Sequence, residues 1–255
     1  MTDTSRKETG SYALTLRFNP EILRTVSFCG LIVTMLTGYL LTSFFVHGDP
    51  TQTAIHRLLG FNHSCNVIDH EPSRTVSAML WPFWEIPFFL YVVFNFLRVN
   101  DAYRKDQVPR YIFAVATVFL PLQVLLTVWV RLVFVWDPEI NFLNHYLPYI
   151  GLQLLLALTA FQNVLYLNAV RELPINSRLL AIVYLIVLFG TTILYSVFGL
   201  SIALGHPILD SVNNLTHRVI LQSLARLYFV LEIPIPLLLS ILGLKRSRSY
   251  VISFS

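Results

Sequence analysis

Charge is what this chain has least of, because only 13% of its 255 residues are Asp, Glu, Lys or Arg. An ordinary soluble protein carries about twice that share. A soluble globule needs charged side chains to cover its surface, whereas a lipid-facing surface does not, so the soluble class is excluded. Lysine is scarcer still. Lys7, Lys105 and Lys245 all lie outside the apolar runs, which excludes Schiff-base retinal chemistry. There are two cysteines, Cys29 and Cys65. They fall most of a bilayer apart in the topology derived below, so they cannot bridge each other. Cys65 is then a free thiol or half of an intermolecular bond. Long polar stretches are missing too, since the interval 47–75 is the longest, and it leaves no room for a separate soluble domain. Residues 1–21 are polar and basic with no apolar centre, so no cleavable signal peptide is expected and the first spanning helix directs insertion.

What is abundant is apolar sequence: 55% hydrophobic, 14% aromatic, with a mean hydropathy of +0.64. A helix needs about 20 residues to cross a hydrocarbon core of ~30 Å. Six stretches reach that length, at 26–45, 76–97, 111–136, 147–170, 179–204 and 219–244. They are continuous, whereas the strands of a membrane barrel would alternate. The sequence therefore predicts an all-α, polytopic membrane helical bundle with six transmembrane helices, N-in and C-in. Residues 1–25 form a cytoplasmic N-terminal segment, 26–244 the transmembrane domain with a lumenal loop at 46–75, and 245–255 a cytoplasmic tail.

Orientation follows from the basic residues, which collect in cytoplasmic loops. Arg6, Lys7, Arg17 and Arg24 precede the first span, and Arg98, Arg104, Lys105 and Arg110 follow the second. Arg171 and Arg178 follow the fourth, and Lys245, Arg246 and Arg248 the last. The opposite loops hold only Arg57, Arg74 and Arg218. Both N-x-S/T sequons, at Asn62 and Asn214, fall on that lumenal side as expected glycosylation sites. All seven histidines lie there as well. Trp81, Trp84, Trp129 and Trp136 are expected there as interfacial aromatics. The sequence pI of 9.1 reflects these short juxtamembrane clusters, which set topology and meet lipid headgroups, so no nucleic-acid partner is expected.

Ionisable residues within spans are costly and mark a functional interior by default. Glu85, Arg131, Arg226 and Glu232 fall in the lumenal half or near the midplane. Arg226 and Glu232 are about 120° apart on one helix, so pairing across helices is expected, Arg131 with Glu85 or with Glu232. Gln153, Thr159, Gln162, Asn163 and Tyr166 make the fourth helix too polar to face lipid all round. These residues predict either interhelical clamps or a polar lumenal cavity. His145, just before the fourth helix, is a candidate general base. Asp69, His70, His145, His206, Asp210 and His217 are the lumenal residues able to converge on a metal, but no tight ligand motif is present and none is expected. The run Glu232-Ile233-Pro234-Ile235-Pro236 places an acid where the sixth helix must bend, because proline frees a carbonyl and kinks the axis.

The stretch Cys65-Asn66-Val67-Ile68-Asp69-His70-Glu71-Pro72-Ser73 resembles the C-x-V-x-N-x-x-P-S pattern after the first helix of the family of post-GPI-attachment-to-proteins factor two. The wider superfamily includes the damage-regulated autophagy modulators. Cys, Val, Pro and Ser keep their spacing, with Asp69 in place of the usual Asn. The resemblance implies a six-helix protein of the secretory pathway, in the Golgi apparatus or endoplasmic reticulum. Its substrate would be a membrane lipid or GPI-anchored protein, and the reaction the return of an acyl chain to a lyso-GPI anchor. His145, Glu232 and Glu85 are then the candidate catalytic residues. Arg131, Arg226, His70, Ser73 and Asn163 are the candidate substrate-binding residues, with the arginines on the phosphoinositol phosphate. No cofactor is expected, and protein partners are not indicated. A lipid-binding regulator or scaffold with a structural polar cluster stays open. A small-molecule transporter stays open as well, although the cytoplasmic halves of the helices show no ionisable residues to continue a pathway and no inverted repeat is evident.

Overall fold

The computed structural model describes residues 14–45, 53–172, 175–244 and 250–254. Arg6, Lys7, His47, Lys245, Arg246, Arg248 and the side chain of Cys65 lie outside what is described. Strand β1 (Leu14–Phe18) leads into helix α1 (Pro20–Phe45), followed by the short α2 (Ala54–Leu59) and a 3-10 turn at Ser64–Val67. Next come α3 (Ser73–Leu80), α4 (Pro82–Arg104) and α5 (Arg110–Trp129), the last prolonged by a 3-10 segment at Val130–Phe134. Then α6 (Phe142–Ala169), α7 (Ile175–Ala203), α8 (Leu215–Glu232), α9 (Pro234–Leu244) and strand β2 (Tyr250–Phe254) complete the chain.

Six helical spans are long and apolar enough to cross a membrane: Pro20–Phe45, Ser73–Arg104, Arg110–Phe134, Phe142–Ala169, Ser177–Ala203 and Leu215–Ile241. Their outward faces expose large apolar side chains such as Leu36, Val118, Leu125 and Ile186, as expected where lipid is the solvent. The chain is a multi-pass helical membrane protein.

Local chemistry sets where the spans begin and break. Asn19 caps α1 by accepting the Glu21 backbone N–H at 3.0 Å, and Pro20 takes the first helical position, where its missing N–H costs nothing. The first span thus starts before residue 26, and Glu21 and Arg24 sit inside the bundle rather than in a cytoplasmic tail. The fourth span likewise starts early enough to place His145 in its first turn. At the other end of the chain the expected bend is present. Helix α8 stops at Glu232 and α9 starts at Pro234, which has no N–H to continue the ladder.

One element was not expected. Strands β1 and β2 pair antiparallel, from Leu14 opposite Phe254 to Phe18 opposite Tyr250. This ladder joins the two ends of the chain on one face of the bundle, termed here the terminal face; the segment 53–72 covers the opposite, loop face.

The main core lies where α1, α4 and α6 meet, around Phe28, Leu31, Trp84, Phe88, Tyr91 and Leu155. Here the expectation for tryptophan fails for two of four. Trp81 and Trp84 are core residues, 3% and 0% exposed, whereas Trp129 and Trp136 do reach the surface. Trp84 stacks on Phe88 at 5.2 Å, and its depth is set by the close crossing of α1, whose Ser27 donates to the Trp84 carbonyl at 2.9 Å. A second core forms beneath the loop, where Ile55, Leu59 and Phe61 pack on Tyr195, Leu221 and Tyr228 of α7 and α8.

Candidate functional site

The segment 53–72 folds down onto the helix ends and carries its histidine inward. Thr53 caps α2 by accepting from the His56 N–H at 3.2 Å. Gly60 ends that helix with φ +76°, a conformation glycine adopts without strain. A Cβ there would also stand 2.5 Å from the Ser211 carbonyl oxygen, so only glycine fits against the α7–α8 connection. The chain then turns into the bundle, and His63 is 7% exposed. Its ring stacks on Tyr195 at 5.9 Å and meets Tyr149 edge-on at 5.5 Å.

Beside it, the loop meets the first turn of α6. His145 Nδ1 lies 2.9 Å from the Trp136 carbonyl oxygen. A carbonyl can only accept, so Nδ1 carries the proton and Nε2 of the neutral ring is an acceptor. That Nε2 stands 3.5 Å from Asp69 Oδ1, and the two side chains are 3% and 4% exposed. Burial is the largest influence on Asp69 and holds its carboxyl well above the usual range; Arg74 opposes this, while Asp137 and Glu139 add to it. The raised Asp69 carboxyl and the bare Nε2 therefore face each other in a dry site, with no closer polar partner to Nε2 among the described residues. Arg74 fixes the same corner by donating to the Phe134 carbonyl through Nε at 3.0 Å and Nη2 at 2.9 Å. Its Nη1 lies 3.5 Å from Asp137.

The two loop groups respond oppositely to pH. Burial, followed by the neighbouring His145, lowers His63 from 6.5 to about 4. Between those values the unfolded chain takes a proton that the folded loop refuses, so stability falls as pH drops. At about 1.4 kcal/mol per pKa unit the full effect is about 3 kcal/mol. Asp69 is raised instead, so its contribution is complete below 3.8 and is lost as pH rises through its folded value. As pH falls from 6.5 to 4.5 the two contributions oppose each other, His63 lowering stability and Asp69 raising it, so each is read by removing the other. The melting temperature of Asp69→Asn is expected to fall between pH 6.5 and pH 4.5, while that of His63→Phe should rise over the same interval; equal slopes in the two variants would contradict the assignment.

Arg226 opens the site to the outside. With Asn62, His63, Gln222 and Phe229 it lines a cavity of about 300 Å³ between the loop and α8. The residue is exposed, and no ion pair or hydrogen bond to it occurs among the described residues. It lies roughly 16 Å along α8 from the loop face, and helical side chains lean towards the helix N-terminus, which here is that face.

The other sequence candidates do not converge on this cavity. Arg131 does pair with Glu85, one of the two expected partners, but its side chain is 53% exposed and Glu85 is 8% exposed, so the pair clamps α4 to the end of α5. Glu232 is the last residue of α8, on the terminal-face side of the span. It accepts from Thr192 at 3.2 Å and shares a small cavity of about 40 Å³ with Arg24, Asn163 and Tyr184. Asn163 accepts from Arg98 Nη2 at 3.0 Å on that same side. Ser73 is fully buried, donating to the carbonyls of Gly38 and Val67, which ties α3 to α1 and the loop. His70 lines none of these cavities. Of the two arrangements open for Glu85, Arg131, Arg226 and Glu232, one lumenal cavity does not form; they fall into separate clusters, with Arg131 and Glu85 as an interhelical clamp, because their helices turn them to different faces and depths.

Among the described residues, Asp69 and His145 of the metal candidates face each other, and no group of three or more ligating side chains forms. Of the sequon residues, Asn62 is exposed, with Oδ1 2.8 Å from His56 Nδ1. Asn214 caps α8, accepting from Thr216 and His217 backbone N–H groups at 2.9 and 3.2 Å.

A polar cluster at the terminal face contradicts the expectation that the cytoplasmic halves carry no ionisable groups. Arg24 meets Glu21 at 2.7 Å, and Arg98 reaches Glu21 at 3.4 Å. Ser240 of α9 accepts from Arg24 Nε at 3.0 Å and donates to the Glu21 carbonyl at 3.2 Å. Arg98 also donates to Asn95 and lies 4.3 Å over the Tyr166 ring. The spacing Glu21-x-x-Arg24 and Asn95-x-x-Arg98, each putting two polar groups on one helical face, was the signal that could have shown this. Compared with protein-family models, curated proteins and solved structures, the chain matches none.

Proposed function

We propose that this protein handles the phosphoinositol lipid of GPI anchors at its loop face and takes part in remodelling that lipid in a membrane of the secretory pathway. The observation that carries the reading is Arg226, an exposed arginine without a described partner on the wall of a cavity of about 300 Å³. A guanidinium fork matches the two free oxygens of a phosphodiester. The cavity lies beside the membrane-facing side of α8, so a headgroup can enter while its acyl chains stay in lipid. The distribution of basic residues supports a lumenal loop face, the side on which the glycan of an anchor lies. The resemblance of Cys65 to Ser73 adds support. Asn is usual in that pattern where Asp69 stands, and here the side chain at that position faces His145.

Within this reading His145 is a positioning residue. Its Nδ1–H is committed to Trp136 and its Nε2 faces Asp69, so it holds the loop to the start of α6. The imidazole on the cavity wall belongs to His63. A second reading, in which the protein binds the lipid and leaves acyl transfer to another protein, is favoured by the enclosure of His145 and by the low proton affinity of His63.

The test is the lipid composition of GPI anchors in cells lacking the protein and complemented with variants of matched abundance. Arg226→Glu should fail to restore remodelled anchors. His63→Gln should fail too if the chain performs the transfer, and should restore them if it only binds. Full restoration by Arg226→Glu sinks both readings.

A further inference from the structure

A second cavity lies at the other end of the bundle, on the outer side of α5, α6 and α7. Its volume is about 840 Å³, towards the upper end of the ~300–1,000 Å³ range of small-molecule sites. The wall is apolar almost throughout, built from Phe119 of α5, Leu158 and Phe161 of α6, and Leu185 and Phe189 of α7. Only two polar side chains contribute to it, Asn168 at the end of α6 and Arg178 at the start of α7. Both stand at the terminal-face mouth. From Arg178 to Phe189 the groove descends roughly 16 Å at ~1.5 Å per residue. That is about half of a ~30 Å hydrocarbon core, the depth of one leaflet.

Arg178 is the unusual part. Its Nε is buried, and no hydrogen-bond partner reaches it among the described residues. A buried guanidinium nitrogen left without an acceptor is costly. The neighbouring chain adds Arg171 against one acid, Glu172, so this corner is net positive. A groove one leaflet deep, apolar below and cationic at its rim, has the chemistry of a phospholipid: acyl chain inside, phosphate on the arginine. The positive balance favours a headgroup with net negative charge.

We propose that the α5–α6–α7 groove binds one anionic glycerophospholipid of the terminal-face leaflet, with its phosphate on Arg178 and an acyl chain against Phe161, Leu185 and Phe189. This site is on the opposite face from Arg226 and does not depend on the function proposed above.

The experiment uses the full chain in nanodiscs of phosphatidylcholine containing trace phosphatidylserine with a photoactivatable acyl chain. Cross-linked residues are mapped by mass spectrometry. Label is expected to concentrate on groove residues of α6 and α7, and unlabelled phosphatidylserine should compete about tenfold more effectively than phosphatidylcholine. That ratio corresponds to about 1.4 kcal/mol, within reach of one charge-assisted hydrogen bond. Arg178→Gln should bring the two competitors together while the protein keeps its elution profile. Label no denser in the groove than at Val33 and Leu36 on the outer face of α1, or equal competition by the two lipids in the unsubstituted protein, overturns the proposal.

Discussion

Replacing Glu21 by alanine is expected to lower the melting temperature of the purified protein by about 10 °C. Glu21 is the acid facing Arg24 at 2.7 Å and Arg98 at 3.4 Å, and all three side chains are buried. Its removal strands two guanidinium groups among apolar helices. Breaking a buried pair by deleting one partner costs about 3–5 kcal/mol, and each kcal/mol is worth about 2–4 °C in a protein of this size. Tyr91 and Tyr166 beneath the arginines soften the loss without replacing the charge. Glu21→Gln keeps acceptor oxygen but not charge, and should fall between. Equal melting temperatures for Glu21→Ala and the parent would show that the cluster does not hold α1, α4 and α9 together.

Gly30→Val should be nearly as damaging, for a steric reason. A Cβ at Gly30 would stand 2.5 Å from the Phe83 carbonyl oxygen and 2.7 Å from its carbon. Those are backbone atoms of α4, so the helix itself must move, and overpacking of this kind costs about 1–3 kcal/mol or more. The bond from Ser27 to the Trp84 carbonyl, at 2.9 Å, would open with it. Small residues are the usual means of bringing membrane helices this close. Gly190 provides the control, because a Cβ there meets nothing within 4 Å. Gly190→Ala should leave stability unchanged or raise it by up to about 1 kcal/mol. Thermal melts of the two glycine variants side by side separate a packing effect from a general intolerance of substitution.

The number of spans was legible because hydropathy integrates over about 20 residues, and no single side chain overturns it. The break at Glu232 was legible because proline lacks an N–H whatever surrounds it. The partnership of Arg131 with Glu85 could be narrowed to two choices, since both lie near the same end of adjacent spans. What hydropathy hid was the opposite kind of feature. Glu21 and Arg24 depress the average, so the apolar run begins only after them, although Asn19-Pro20 carries the helix-start signal. The same blindness to direction put Trp84 at an interface and gathered Glu232 with Arg226. Residue type fixes the cost of burying a group, while rotation about the helix axis and depth along it decide what the group meets. His63 was passed over because a histidine in a polar loop gives no sign that the loop folds inward; Gly60, placed where the chain must reverse against Ser211, was the one clue.

Direct lipid binding at Arg226 is the decisive measurement. The purified protein in nanodiscs would be exposed to phosphatidylinositol bearing a photoactivatable acyl chain, with saturation of label followed on the α8 peptide containing Phe229 and Val230. Saturable labelling is expected in the parent, weakened at least about tenfold by Arg226→Glu, since a charge-assisted bond to phosphate is worth about 1.5–3 kcal/mol. Labelling that does not saturate, or that is the same in Arg226→Glu, contradicts a headgroup site at the loop face.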